Sequence, residues 1–269
     1  MQRVGMKRFA LVTGASSGIG EEYARQLSAK GYNIIVVSER DAENCRVAES
    51  LRAEYGVEAL PLCVDLTEAD AAQRVFDFAQ KIDGEVEIVV NNAGMLLFSR
   101  LEHTADDRLD KIVALHCTTP TKLCRLFASA MARRGRGYIL LMSSVTAWTP
   151  YPTISHYAAT KAYLKSFGQS LWYEMRGRGV SITTVFPSAV DTPFYNLDDR
   201  MRRRLLCCGL MLSAEDVARR ALRAMFRRRR RCLPGFWTKL EAAICAVLPA
   251  WVLLPIMKIP AVKKILERV

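Results

Sequence analysis

Apolar positions along this chain come in two rhythms. Residues 8–13, 33–38, 58–64, 86–90 and 138–142 are short, nearly unbroken apolar runs rich in Val, Ile, Leu and Ala, and runs of that length read as strands buried on both faces. Residues 21–30, 68–82 and 214–226 instead space their apolar side chains at the helical period, which predicts helices with one buried stripe. Strands buried on both faces and alternating with helices form a parallel sheet covered on each side. The pattern therefore predicts an α/β fold of the doubly wound, Rossmann type.

The first strand opens into Gly14-Ala15-Ser16-Ser17-Gly18-Ile19-Gly20 just ahead of a helix. Glycine at such a turn lets backbone approach a pyrophosphate, whose charge is stabilised by free amides and the positive end of the helix dipole. Gly14, Ser16, Ser17, Gly18, Ile19 and Gly20 are therefore candidate dinucleotide-binding residues, although Gly-x-x-x-Gly-x-Gly differs from the usual Rossmann spacing. The second strand ends in Ser38-Glu39-Arg40, where an acid would accept from a ribose 2′-hydroxyl and an arginine would hold a 2′-phosphate. Glu39 and Arg40 supply both signs, so NAD and NADP stay open at this point. Asp65, after the third strand, is placed to hydrogen-bond an adenine edge. Asn91-Asn92-Ala93-Gly94, after the fourth, combines amides that can tie strand ends with a glycine that admits a cofactor.

Tyr157-Ala158-Ala159-Thr160-Lys161 stacks a phenol and an ammonium one helical turn apart. A cation held close favours the phenolate and draws the tyrosine pKa from ~10 towards the working pH. Ser144 follows the 138–142 run, where a buried strand would deliver a hydroxyl to the mouth of a sheet, so three groups can meet one carbonyl.

Taken together, Thr13-Gly14-x-x-x-Gly18-x-Gly20, Asp65, Asn91-Asn92-Ala93-Gly94, Ser144 and Tyr157-x-x-x-Lys161 resemble the short-chain dehydrogenase/reductase family, in its hydroxysteroid dehydrogenase and ketoacyl reductase branch, over residues 8–217. The resemblance implies a mostly parallel seven-stranded sheet with helices on both faces and an NAD(P)(H) cofactor. It implies Tyr157 as general acid in reduction and base in oxidation, Lys161 as its electrostatic partner and ribose ligand, and Ser144 as a hydrogen-bond donor to the substrate oxygen. Ala93 and Gly94 would line the cofactor with Asn91, and Pro187 and Thr192 would flank its nicotinamide. His116 stands where the family places an asparagine whose backbone carbonyl holds a water leading to the lysine. A histidine could preserve that relay through its own backbone or ring, or block it; a backbone role survives side-chain exchange, so His116 is counted with the catalytic set and His116→Asn is expected to keep or raise activity. Phe186-Pro187-Ser188 also departs from the usual Pro-Gly.

A chain of 269 residues, 51% hydrophobic and 25% charged, can bury a full core and suits one large α/β domain. Residues 1–235 are read as that domain, with a substrate lid at 191–212, and 236–269 as an apolar extension that either covers the pocket or lies in a membrane interface. The eight cysteines, at 45, 63, 117, 124, 207, 208, 232 and 245, include no Cys-x-x-Cys pair, which points to a reducing, cytoplasmic setting. His103 and His156 lack partners at ligand spacing, so no metal is expected. A formal charge of +12 favours anionic partners. The arginine run 227–231 has no aromatic interleaving, which argues against nucleic acid and leaves an anionic membrane surface or a solvated face. The apolar lid and its basic rim suit a hydrophobic alcohol or ketone of steroid, sphingoid or fatty acyl type. Two alternatives stay open: a 3-oxoacyl carrier reductase, and a catalytically idle nucleotide-binding protein at membranes. A homo-oligomer is also compatible with the reading.

Overall fold

In the computed structural model the structure describes residues 6–96, 99, 101–148, 154–191, 199–209 and 211–247. The apolar runs become strands β1 (Arg8–Thr13), β2 (Asn33–Ser38), β3 (Ala59–Cys63), β4 (Glu85–Asn91), β5 (Gly137–Met142) and β6 (Val180–Val185). Two short strands, β7 (Ala189–Asp191) and β8 (Met211–Ser213), pair with each other, and β9 (Arg231–Cys232) closes the main sheet. That sheet has seven strands in the order β3-β2-β1-β4-β5-β6-β9, all paired in parallel. The order reverses between β1 and β4, and such a switch point opens a crevice at the carboxyl ends of the strands.

Period-two alternation divides the strand residues between two cores. Ala10, Val12, Ile34, Val36, Ile88, Val90 and Leu140 face one side, where they meet helices α1 (Gly18–Ser28), α2 (Asp41–Tyr55) and, later in the chain, Ala214–Phe226. Phe9, Leu11, Ile35, Val37, Val89, Ile139 and Leu141 face the other. There they meet α3 (Ala71–Lys81), and α5 (Thr119–Arg134) and α6 (Ser155–Met175), which follow α4 (Asp106–Val113). Completing the set are α7 (Asp199–Cys207), α8 (Ala214–Phe226) and α9 (Phe236–Val247). Truncating one fully buried residue such as Ile35 to alanine would cost ~2–5 kcal/mol, because the cavity adds to the lost transfer energy.

Several boundaries differ from the sequence reading, for local reasons. Helix α1 begins three residues before the expected 21, since the glycines form its first turn, and it stops at Ser28 because Gly31 takes a left-handed φ of 78°. Helix α3 is shorter than 68–82 at both ends. Helix α2 was not anticipated, although Val47, Ala48 and Leu51 give it a buried stripe. Strand β9 takes in Arg231, the last of an arginine run whose composition points to a solvated or membrane-facing surface. Its backbone is drawn into the sheet by Thr184 N–H to Arg230 O and Phe186 N–H to Cys232 O.

Candidate active site

Gly14 and Gly18 both adopt left-handed φ, 65° and 58°, a region where a side chain is strained. A Cβ on Gly20 would collide with the Gly14 carbonyl and lie 2.7 Å from Asn92 Nδ2, so this glycine packs the helix start on the loop and does not face the cleft. Ser17 is the N-cap of α1, yet its hydroxyl caps none of the helix amides. Instead Arg40 Nη2 donates to Ser16 Oγ at 2.8 Å and Ser17 Oγ at 2.7 Å. Arg46 approaches the same loop, donating to Ser16 O at 3.4 Å and Glu21 Oε2 at 3.1 Å. Glu39 is exposed, and its carbonyl accepts from Cys63 Sγ. Asp65 Oδ1 accepts from the amide and the hydroxyl of Thr67 at 2.8 and 2.7 Å. Helix amides that no side chain caps, a loop turned by Gly14 and Gly18 and two guanidinium groups at its rim fit the diphosphate and adenosine end of a dinucleotide.

At the other end, β5 delivers Ser143 and Ser144, and α6 delivers Tyr157 and Lys161. Ser144 Oγ accepts from Thr146 N–H at 3.2 Å, and Ser143 Oγ donates to Lys161 O at 2.7 Å, tying α6 to the strand end. Lys161 Nζ donates to Met142 O at 3.0 Å and lies 5.4 Å from the Tyr157 ring centroid. Burial, slightly opposed by Cys117, pushes the Lys161 ammonium down to about 8. Tyr157 is half-buried and engaged.

His116 is buried within a π turn (Ala114–Thr118) that joins α4 to α5. Its Nε2 accepts from Met95 N–H at 3.0 Å, so the proton resides on Nδ1, 2.9 Å from Thr160 Oγ1. Thr160 Oγ1 in turn donates a hydrogen bond to Tyr157 O at 2.8 Å. Burial first, then the Lys161 charge and His156, hold the imidazole well below its usual pKa, and it stays neutral.

A cleft of about 1020 Å³ runs between the two ends. Of the residues singled out in the sequence, Gly14, Ser16, Ser17, Gly18, Ile19, Glu39, Arg40, Asp65, Ala93, Gly94, Ser144, Tyr157, Lys161 and Pro187 line it. Three do not: Gly20 packs the loop, His116 stands behind the wall, and Asn91 turns the other way. Asn91 Nδ2 reaches Cys124 Sγ at 3.7 Å, because alternation along β4 sends its side chain into the core, away from the cleft. Its neighbour Asn92 ties the strand ends, donating to Thr13 O at 3.0 Å and Gly14 O at 3.4 Å. Thr192 lies outside the described residues, as do much of the lid and residues 248–269. The sequence carried no signal for Leu96, Lys111, Leu115, Ile154 or Glu241, which also line the cleft. Glu241 arrives from α9 and accepts from Ser188 Oγ at 2.6 Å.

A family model described as short chain dehydrogenase matches residues 8–202. The very-long-chain 3-oxoacyl-CoA reductase of Pyricularia oryzae is 35% identical over 181 residues, covering 66% of this chain and 54% of its own. The 17-beta-hydroxysteroid dehydrogenase type 3 of Danio rerio is 32% identical over 190 residues, covering 69% and 61%. The chain thus spans little more than half the length of these two relatives. A short-chain dehydrogenase from Sphingobium yanoikuyae, solved in complex with NADPH, superposes with a TM-score of 0.77 at 27% identity, covering 88% of this chain and 93% of that one.

Proposed function

The chain belongs to the short-chain dehydrogenase family and is an NAD(P)-dependent dehydrogenase or reductase, and on that premise we propose that it interconverts a hydrophobic secondary alcohol and its ketone, preferring NADP(H). One observation carries the reading: Ser144, Tyr157 and Lys161 line the same cleft as the glycine-rich loop. The bound cofactor supplies the hydride chemistry. Ser144 already accepts from Thr146 N–H, so it keeps its own proton to donate to the substrate oxygen. Tyr157 gives its phenolic proton to that oxygen in reduction and takes it back in oxidation. Lys161 places a positive charge over the Tyr157 ring and favours the phenolate that forms. Such proton transfer contributes ~10²–10⁴-fold to rate.

The preference for NADP(H) rests on Arg40, which bridges the Ser16 and Ser17 hydroxyls and can pass to a 2′-phosphate bidentately. The NADPH complex of the Sphingobium relative supports the same choice. Leu96, Leu115, Val145, Ile154 and Val190 give the cleft apolar lining beside Lys111 and Glu241, and the two curated relatives are named for a long acyl thioester and a steroid. The test is NADPH consumption with 3-oxoacyl thioesters of increasing chain length beside a 17-ketosteroid. Turnover rising with chain length or with the steroid is expected, and no turnover with any ketone under either cofactor would overturn the reading in favour of an idle nucleotide binder.

A second feature favours work at an anionic membrane surface. Helix α9 packs one face on the fold, with Thr238 and Ala242 buried, and leaves Phe236, Trp237, Leu240, Ile244 and Val247 exposed. A Cβ on Gly209, past the end of α7, would touch the Trp237 ring at 3.4 Å, and Arg203 and Arg204 of α7 are exposed. An exposed apolar stripe on a chain of formal charge +12 suits an anionic lipid interface. The 227–231 run, which the sequence reading had paired with it, is largely committed elsewhere. Arg228 donates to Gly179 O, Arg230 stacks over Trp172, and Arg231 donates to Gln169. Among the described residues no helix is long and apolar enough to cross a membrane. Within the 236–269 extension, the described helix α9 (Phe236–Val247) is accordingly proposed as a pocket cover whose outer face docks on lipid. Salt-sensitive sedimentation with anionic vesicles, weakened by Trp237→Glu, is expected, and its absence at low salt would remove this part.

A further inference from the structure

We propose that the His116 imidazole is a positioning residue that fixes two parts of the active site to each other, one ring nitrogen for each. Resting on the oxidoreductase reading above, this gives the side chain a positioning role, where the sequence reading had considered only a water relay carried by its backbone or ring. On one side, Nε2 accepts from Met95 N–H at 3.0 Å, holding the loop after β4 that forms the cleft wall with Ala93 and Gly94. On the other, Nδ1 donates to Thr160 Oγ1 at 2.9 Å, and Thr160 donates to the carbonyl of Tyr157 itself at 2.8 Å. The imidazole therefore sets the distance between the cofactor-facing loop and the helix that carries Tyr157 and Lys161.

Three observations make the ring specific to this task. The π turn inserts an extra residue between α4 and α5 and directs His116 inward, where it is 1% exposed. A Cβ on Gly94 would stand 3.0 Å from Nε2, so the glycine leaves room for the ring to reach the next amide. The Tyr157 ring meets the imidazole edge-on at 5.7 Å between centroids, so packing backs the hydrogen bonds. With both nitrogens committed, the ring does not shuttle protons. It holds the phenol where hydride and proton transfer coincide, and displacements of about 1 Å at such a site can cost ~10²-fold in rate.

The two bonds can be separated by isosteres. Asparagine reaches with its δ atoms to the place of Nδ1, and glutamine with its ε atoms to the place of Nε2. His116→Asn is then expected to keep kcat within about threefold while weakening NADPH affinity on the order of tenfold, and His116→Gln to do the reverse, each having lost one buried hydrogen bond. His116→Ala should lose on both counts. In the wild-type protein without cofactor, imidazole ¹⁵N spectra should show a single Nδ1-protonated tautomer. Equal losses of kcat and affinity in Asn and Gln variants, following only their loss of Tm, would reduce His116 to packing and overturn the proposal. An Nε2-protonated tautomer would also overturn it. Should the wild type turn over no ketone, the proposed function fails alone, since the tautomer and NADPH-affinity arms still decide this inference.

Discussion

Arg40 and Lys161 are cations on one cleft, and their surroundings make them different tools. The Arg40 side chain keeps 47% of its exposure and holds its position through serine hydroxyls, so it is a fixed charge screened by salt and suited to a phosphate. Lys161 is 5% exposed and pushed down to about 8, so its charge is costly, poorly screened and responsive to pH. Exposure yields recognition and burial yields chemistry. Each can therefore be disturbed with little effect on the other.

The largest effect should come at the buried end. Tyr157→Phe removes the proton donor and keeps the ring, so turnover should fall ~10²–10⁴-fold while NADPH affinity stays within about twofold of wild type. Steady-state kinetics beside a fluorescence titration of NADPH would check it, and a parallel collapse in affinity would erase the division between the two ends. The exposed end comes next. Arg40→Ala removes charge-assisted hydrogen bonds, and kcat/KM with NADPH should drop roughly 10–100-fold while NADH values hold steady. A loss shared equally by both cofactors would move Arg40 from phosphate recognition to loop scaffolding.

The smallest effect concerns stability, and its sign follows from burial. Lys161 has a folded pKa of about 8 against 10.5 in the unfolded chain. Below pH 8 the fold bears the full cost of a buried ammonium, and that cost is relieved as pH rises towards 10.5. Lys161→Met should therefore stabilise the cofactor-free protein at pH 7 by about 2 kcal/mol, the shift at 1.36 kcal/mol per unit less one lost hydrogen bond to Met142 O. Chemical denaturation should show that gain shrinking by pH 10, with activity lost throughout. In the wild type, kcat/KM for reduction should fall about tenfold per pH unit above an apparent pKa near 8, as Lys161 loses its charge.

By itself the sequence determined whatever depends on neighbours along the chain. Runs such as Asn33–Ser38 had to be strands, because consecutive apolar side chains point to opposite faces and both faces must then be buried. Gly14 and Gly18 announced a backbone turn that other residues resist, and Tyr157 with Lys161 shared a helix face by arithmetic. Tertiary structure decided what depends on distance in space. Only the folded chain turns Asn91 into the core and Asn92 to the strand ends, draws Arg231 into a sheet edge, and brings Glu241 to Ser188 across 53 residues. His116 shows the division most plainly. The chain names a histidine, but its tautomer and its work come from a Met95 amide 21 positions away and a Thr160 hydroxyl 44 positions away. A proton's place on an imidazole is chosen by whatever partners surround the ring, and those partners exist only after folding.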